Sequence, residues 1–337
     1  MDIKEISNIE DEFNSTYLEL LISGKNIGYP IINALRKACI NQIPTYAFHP
    51  SKINILHNKS VFDNSYMKGR LSQLPITKIN HDLKFLPLKY YKDVNFADIK
   101  LDKHPDDNML IEYYVKVRND GPDRVLNVST NNLQISINNL KIEPSEKYSK
   151  KNPILLIQLR PGDEFECSMK GVLAIGEIDA IFDSSNSYYE EIAENKYSFK
   201  IESNGQLPEY EIILRACEII IEKNKIIKEN INNNQYQMLI TENNSMILEI
   251  LNEDYTCGGP INFILQNMDK IIFSGITKPD FMQKNILIKF KAASEYKPID
   301  VLNDAIDQSV KIFEEIKHKI NSLYKGEKIN VNKKSKK

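Results

Sequence analysis

The residue types that most often carry chemistry are scattered along this sequence of 337 residues. Its five histidines show no HExxH or related zinc-ligand spacing, and its four cysteines form no CxxC pair. The sequence contains neither a glycine-rich phosphate loop nor an aspartate-rich magnesium loop. The acidic pair Asp106-Asp107 falls in a turn, where aspartate is favoured for its backbone hydrogen bonds. We therefore predict no catalytic residue, no cofactor and no metal site.

A cationic pair is a candidate for binding, and the sequence places it on a short helix. Pro30 is compatible with the first turn of that helix, because its missing N–H needs no partner there. Pro44 disfavours helical geometry at the preceding residue and ends the element. Arg36 and Lys37 lie just past its middle. The apolar residues at i, i+3, i+4 and i+7 share one face: Ile31, Ala34, Leu35 and Ala38.

Composition limits the class of protein. Hydrophobic residues make up 42% and charged residues 27%, which is ordinary for globular domains, and the length allows two or three of them. No apolar run approaches the roughly 20 residues that span a bilayer, and residues 1–12 lack a signal-peptide pattern. The scattered cysteines predict reduced, buried thiols. With a net charge of −2, the chain is a poor candidate for binding nucleic acid alone, and we expect no membrane contact.

One order of elements occurs twice along the chain. Residues 13–23 predict a strand, and the short helix, further strands and a long helix over about 208–230 follow. The second copy repeats this order, with a short helix opened by Pro260 and a long helix over about 298–324. Residues 46–175 interrupt the first copy with short β-like runs between turns. Each copy has too little sheet to cover its own apolar faces, so we expect the copies to pack through their helices.

These patterns predict an α+β fold with two dimerisation units, the first interrupted by a mostly β insert. The asparagine-rich stretch 230–234 is the expected linker between the units. The predicted domains are a first dimerisation unit (1–47 plus 176–230), a β-rich insert domain (48–175), a second dimerisation unit (231–325) and a basic disordered tail (326–337).

Three segments of the first copy carry a family resemblance. Ile-Asn-Ala-Leu-Arg-Lys at 32–37, followed by Pro-Thr at 44–45, resembles the first dimerisation helix of the alpha-type subunits of multisubunit RNA polymerases. Gly-Arg-Leu-Ser-Gln-Leu-Pro-Ile at 69–76 resembles the arginine-leucine and hydrophobic-proline segment of that family. Ile-Glu-Ser-Asn-Gly at 201–205 and Glu-Ile-Ile-Leu-Arg-Ala at 211–216 resemble its second signature.

The second copy resembles the small L-type partner subunit of the same polymerases. The resemblance lies in Asn-Glu-Asp-Tyr-Thr-Cys-Gly at 252–258, Phe-Ser-Gly at 273–275 and Lys-Pro at 278–279. Lys37 stands where the D-type family has the second arginine of a pair, so the charge is kept but the bidentate fork is lost. Four residues replace the L-type family's His, Asn, Leu and Arg: Tyr255, Gly259, Pro260 and Asn262.

The resemblance implies a D-type and an L-type subunit fused in one chain, as in large cytoplasmic DNA viruses. It implies a non-catalytic assembly subunit of a DNA-directed RNA polymerase, which meets DNA only through the complex. The implied partners are the second-largest and largest subunits together with small polymerase subunits. The implied location is the viral factory in the host cytoplasm and the virion, with the nucleus as an alternative. The alternative functions are a stand-alone two-domain interaction module and an enzyme whose site the sequence does not show.

The resemblance and the apolar stripes assign two sets of site residues. The residues expected to pack one half against the other are Ile31, Ala34, Leu35, Ala38, Ile261, Ile264, Leu265, Ile316 and Ile320. The residues expected to dock the large subunits are Arg36, Lys37 and Arg70.

Overall fold

The computed structural model describes residues 1–10, 16–97, 104–121, 124–241, 243–280 and 282–334. The strands are β1 (Asp2–Glu10), β2 (Thr16–Ser23), β3 (Thr45–Ala47), β4 (Ile53–Asn58), β5 (Ile111–Arg118), β6 (Leu126–Ser129), β7 (Gln134–Ile137), β8 (Leu140–Ile142), β9 (Leu155–Leu159), β10 (Glu164–Lys170), β11 (Val172–Ala174), β12 (Ser185–Ala193), β13 (Lys196–Ser203), β14 (Met238–Ile240), β15 (Ser245–Leu251), β16 (Ile271–Thr277) and β17 (Asn285–Ala292). The helices are α1 (Tyr29–Asn41), α2 (Asn64–Ser72), α3 (Pro144–Lys147), α4 (Glu209–Asn232), α5 (Tyr255–Gln266) and α6 (Pro298–Lys334).

Two units share the order strand, strand, helix, strand, strand, helix. In the first unit the sheet order is β1-β2-β13-β12, with α1 and α4 as its helices. In the second unit the sheet order is β14-β15-β17-β16, with α5 and α6 as its helices. All neighbouring strands in both sheets are antiparallel. The α+β fold with two dimerisation units is therefore confirmed.

Alternating apolar residues explain why each sheet has one buried face. In β2 every second side chain is buried, in β13 the apolar residues Tyr197, Phe199 and Ile201 alternate in the same way, and Leu20 lies opposite Phe199 in the register. In β15 and β17 the same alternation sets Leu248 opposite Ile288. Because strand side chains point alternately to the two faces, this period of two directs one row of each strand toward the helices.

One continuous apolar core joins the two units. It runs from Ile3 on β1 through α1 and α4 to residues of α5, β17 and α6, ending at Ile320. The insert has a separate apolar core, which lies between Tyr46 and Ile175 in the sequence. The insert core is built on the sheet β4-β10-β5-β7-β8 and the pair β6-β9. The two units thus share a core with each other, and the domain limits predicted from the sequence stay a prediction.

The first unit differs from the sequence prediction at its strands. The strand predicted over 13–23 begins at Thr16, and residues 13–15 lie outside the described part of the chain. The edge strand β1 was not predicted. Its register with β2 shifts between Glu5 and Ser7, and Ile6 is 55% exposed. This bulge breaks the regular alternation that would have marked a strand.

The second unit differs from the prediction at both of its helices. Pro260 does not open the short helix, because α5 begins at Tyr255. The Asp254 carboxylate accepts a hydrogen bond of 2.7 Å from the backbone N–H of Thr256, and this N-cap sets the earlier start. Helix α6 ends at Lys334 rather than near 324. It extends over most of the segment predicted as a disordered tail, since no proline interrupts the sequence there.

Candidate assembly interface

Two helix pairs form the boundary between the units. Helix α1 packs against α5, and α4 packs against α6. Within the units, α1 also packs against α4 and α5 against α6. Each of the four helices therefore has neighbours in both units. This arrangement lets each unit cover the helix faces that the other leaves exposed.

The start of α1 approaches α5 closely because glycine stands at the contact. A Cβ at Gly28 would lie 2.5 Å from Cζ of Phe263, closer than real Cβ atoms come to another atom. On the other side of the contact, a Cβ at Gly259 would lie 3.8 Å from Cβ of Pro30. Gly28 thus lets the Phe263 ring rest on the backbone where α1 begins.

The residues predicted to pack the halves together are all buried in the shared core. None of them is more than 5% exposed. Burying one isoleucine or leucine side chain stabilises a fold by about 1.5–3 kcal/mol. Ile31, Ala34, Leu35 and Ala38 are among the buried residues of α1, and Ile261, Ile264 and Leu265 are among those of α5. Ile316 and Ile320 lie on α6, the partner of α4.

A buried ion pair crosses the boundary between the units. Nζ of Lys223 on α4 lies 3.2 Å from Oε2 of Glu253, which precedes α5. The two side chains are only 9% and 16% exposed. Burial by itself would lower the pKa of Lys223, but the carboxylate of Glu253 and further acidic groups around it, such as Glu177, together hold that pKa above its usual value. Lys223 therefore stays charged inside the interface.

Further polar contacts join α4 to α6 along the same boundary. Nδ2 of Asn224 donates a hydrogen bond of 3.0 Å to Oγ of Ser309, and both residues are fully buried. Nζ of Lys228 lies 2.6 Å from Oδ1 of Asp307, and this pair is half-exposed. Buried polar groups need partners of matching geometry, so these contacts restrict how the two helices can slide against each other.

The two cationic residues of α1 have different partners. Nζ of Lys37 lies 3.5 Å from Oδ2 of Asp254 in the second unit. Burial would raise the pKa of Asp254, but the hydrogen bond from Thr256 and the charge of Lys37 lower it. The guanidinium of Arg36 instead donates from Nε, at 3.1 Å, to Oδ1 of Asn33 on its own helix. Lys37 thus contacts the other unit, whereas Arg36 is held by its own helix.

Arg70 lies apart from that pair, on α2 in the insert. Its Nε donates a hydrogen bond of 2.8 Å to the carbonyl oxygen of Leu156, and its NH2 group donates one of 2.9 Å to that of Leu155. These contacts tie α2 to β9. The structure therefore does not place the three predicted docking residues together on one element, and their docking role stays a prediction.

A buried arginine connects the insert segment to α4. The guanidinium of Arg215 is bonded to Glu211 on its own helix, with Nε 2.9 Å from Oε1. It also donates to the carbonyl oxygens of His81 and Leu83, at 2.6 and 3.3 Å. Burial, together with the nearby charge of Arg215, lowers the pKa of His81 to about 4. His81 is therefore neutral at pH 7.

The described residues contain no group of three or more His, Cys, Asp or Glu side chains placed to hold a metal ion. All four cysteines are buried and unpaired, and burial raises the pKa of each thiol: Cys39, Cys167, Cys217 and Cys257. Throughout the described ranges, every helix is too short or too polar to cross a bilayer.

Sequence reasoning missed the polar part of this interface. Lys223 interrupts the apolar stripe of α4, between Ile219 and Ile227, and that interruption was the available signal. Glu253 belongs to the motif of the second copy, but its partner Lys223 lies on α4, 30 positions earlier in the chain. A pattern of local spacing contains no information on such a pair.

Comparison with known proteins places these two units in a family. Residues 22–224 match the RNA polymerase Rpb3/Rpb11 dimerisation domain, and residues 245–319 match a second model of the same description. "Putative DNA directed RNA polymerase subunit R470" of Acanthamoeba polyphaga mimivirus is 26% identical over 326 residues, covering 89% of each chain. DNA-directed RNA polymerase subunit Rpo3 of Methanocaldococcus jannaschii is 25% identical over 193 residues, covering 57% of this chain and 79% of its own length. The chain therefore belongs to the RNA polymerase Rpb3/Rpb11 dimerisation-domain family and carries two such domains in one polypeptide.

Proposed function

We propose that this chain is a non-catalytic assembly subunit of a DNA-directed RNA polymerase, in which a D-type and an L-type unit pair within one polypeptide. The observation that carries the proposal is the single apolar core shared by α1, α4, α5 and α6. Family membership and the mimivirus relative R470, which matches along most of the chain, support it.

The seam between the units includes the nine buried residues predicted from the sequence together with Lys223 and Glu253. The chain connects α4 to β14 through residues 233–237, so the second unit is tethered close to the first. A short flexible link gives an effective concentration on the order of millimolar, far above that of a separate chain at low abundance. Fusion therefore removes the search for a partner subunit.

The docking surface for the two largest subunits includes Arg36, Lys37 and Arg70 in this proposal. Lys37 and Arg70 have partners within the chain, so we expect them to position the surface more than to grip a partner. Arg36 is only partly buried, and Asn33 holds its guanidinium in place. A preorganised guanidinium suits recognition of a carboxylate on another subunit.

The chain would contact DNA only through the assembled polymerase, which also contains small subunits. Because the relative R470 comes from a virus, we expect the protein in the viral factory of the host cytoplasm and in the virion. The predicted limits of the two units and the insert, 1–47 plus 176–230, 48–175 and 231–325, remain part of the proposal.

Purification of the tagged full-length chain from its native source tests the function. We expect the largest and second-largest polymerase subunits to purify with it, identified by mass spectrometry. Arg36→Ala should reduce the recovery of these subunits about tenfold, since removing a central interface arginine commonly costs 1–2 kcal/mol or more. Lys25→Ala, at an exposed position just before α1, is the matched control and should leave recovery unchanged. Recovery of the chain alone would instead support a stand-alone interaction module.

A further inference from the structure

An apolar surface lies on the insert where β4 leads into α2, and we name it the α2 face. Its members are exposed large side chains within residues 56–66: Leu56 (49%), Val61 (63%), Phe62 (41%) and Tyr66 (50%). The rings of Phe62 and Tyr66 stack, with centroids 4.9 Å apart and an angle of 18° between their planes. Single exposed apolar residues are common on protein surfaces, but grouped ones mark interaction sites.

Hydrogen bonds hold the loop of the α2 face in one conformation. Nδ2 of Asn58 donates to the carbonyl oxygen of Phe62 and to Oδ1 of Asn64, both at 2.8 Å. Oδ1 of Asn58 accepts from the backbone N–H of Ser60 at 3.0 Å. Oδ1 of Asp63 accepts from the N–H of Tyr66 at 2.7 Å and caps α2. A loop fixed in this way loses little conformational entropy when it binds a partner.

The α2 face continues toward β9. Arg70 lies one helical turn after Tyr66, and its guanidinium bonds to the carbonyl oxygens of Leu155 and Leu156. Next to this contact, Ile154 and Leu155 are 42% and 38% exposed. The cavity of about 500 Å³ at the end of α2 is lined by both Ser72 and Ile154, so the two segments are neighbours.

The surroundings of the α2 face are cationic. Residues 49–72 and 147–156 contain seven lysines and arginines and one acidic residue, Asp63, and the neighbouring strand β10 adds Glu164 and Glu166. The Glu166 carboxylate is paired with Lys116 at 3.0 Å, so basic residues remain in excess. The Asp63 carboxylate is engaged as the cap of α2. Positive charge concentrated around an apolar surface favours partners of the opposite charge and speeds their association.

We propose that the α2 face binds an acidic, amphipathic polypeptide segment of another polymerase subunit. Apolar side chains of that segment pack on Phe62 and Tyr66, and its carboxylates face the surrounding lysines. A nucleic acid fits less well, because the two aromatic rings stack on each other and the remaining surface is aliphatic. This inference rests on the proposed function, since it takes the partner to be a subunit of the same complex.

Site-specific crosslinking in the full-length chain tests the proposal. A photoreactive benzophenone amino acid replaces Phe62 in one variant and Leu140 in a control. Leu140 is 70% exposed on β8, at the opposite edge of the same sheet from β4. After irradiation in the native cells and purification through a tag, mass spectrometry identifies the crosslinked peptides. We expect at least about tenfold more crosslinking from position 62, to a polymerase-subunit peptide with net negative charge and interspersed apolar residues.

A double variant, Phe62→Ser with Tyr66→Ser, measures the contribution of the two rings to binding. Both side chains are exposed, so thermal stability should stay near that of the unmodified chain. The subunit identified by crosslinking should be recovered with the double variant, after a salt wash, about tenfold less than with the unmodified chain. Leu140→Ser should leave its recovery unchanged.

Several results would overturn the inference: crosslinks from position 62 to nucleic acid, crosslinks to a peptide without net negative charge, or equal crosslinking from positions 62 and 140. If large polymerase subunits still purify with the chain in those cases, the proposed function stands and only the α2 face fails. If no polymerase subunit purifies with the chain, both proposals fail.

Discussion

Removing Lys223 tests whether the buried ion pair stabilises the pairing of the two units. In Lys223→Met the side chain keeps a similar length and apolar stem but loses its charge. Glu253, whose side chain is 16% exposed, then lacks its ion-pair partner, the Lys223 ammonium group that lies 3.2 Å away in the unmodified chain. Removing one partner of a buried pair costs about 3–5 kcal/mol, because the other charge stays desolvated without compensation. We expect the free energy of unfolding to fall by that amount.

A second substitution separates the charge effect from loss of packing. In the double variant Lys223→Met with Glu253→Gln, neither charge remains at the boundary. The double variant should therefore be more stable than the sum of the two single effects predicts, with a coupling energy of about 1–3 kcal/mol. A surplus of this kind shows that the two residues are energetically coupled, as residues in direct contact are.

Urea denaturation combined with hydrogen exchange measures these effects. Exchange of backbone amides in α4 and α6 reports the opening of the shared core rather than of the insert. Lys228→Met is the matched control, because its pair with Asp307 also joins α4 to α6 but is 33% and 48% exposed. An exposed pair contributes about 0–1 kcal/mol, so the control should change little. Equal losses in Lys223→Met and Lys228→Met, or a coupling energy near zero, would refute the reasoning.

Cleavage of the linker and the pH dependence of stability test two other features, the shared core and the buried His81. A protease site inserted after Asn233, followed by cleavage, should leave a complex that elutes as one species at micromolar concentration, because the units share one core; separate elution of two fragments would contradict this. Burial and Arg215 lower the pKa of His81 from 6.5 to about 4, so the unfolded chain binds the proton first and stability is lost as pH falls from about 6.5 toward 4. The loss of stability from this group should approach about 3 kcal/mol, at about 1.4 kcal/mol per pKa unit. Urea denaturation between pH 7 and 4 measures how the free energy of unfolding depends on pH, and His81→Asn should remove the part of that dependence due to His81. An unchanged pH dependence in His81→Asn would show that other groups cause it.

The helical stripes could be predicted because helix geometry relates them to local spacing. Ile31, Ala34, Leu35 and Ala38 recur at the helical period, and the structure buries all four. The repeat of elements was visible for the same reason, since each copy repeats similar patterns along the chain. Elements with irregular patterns were missed: the bulge at Ile6 hides β1.

Sequence by itself determined the four helices of the two units, most of their strands and the two-unit plan, because periodicity and the family motifs lie within short stretches. Only the tertiary structure decided which charges meet. Lys37 proved to contact Asp254, and Arg70 the carbonyl groups of β9, although both had been assigned to an external partner. Lys223 and Glu253 became a buried pair because two helices from different units meet at that point. Such partners are set by the relative placement of distant segments, which depends on the packing of the whole core and leaves no local pattern.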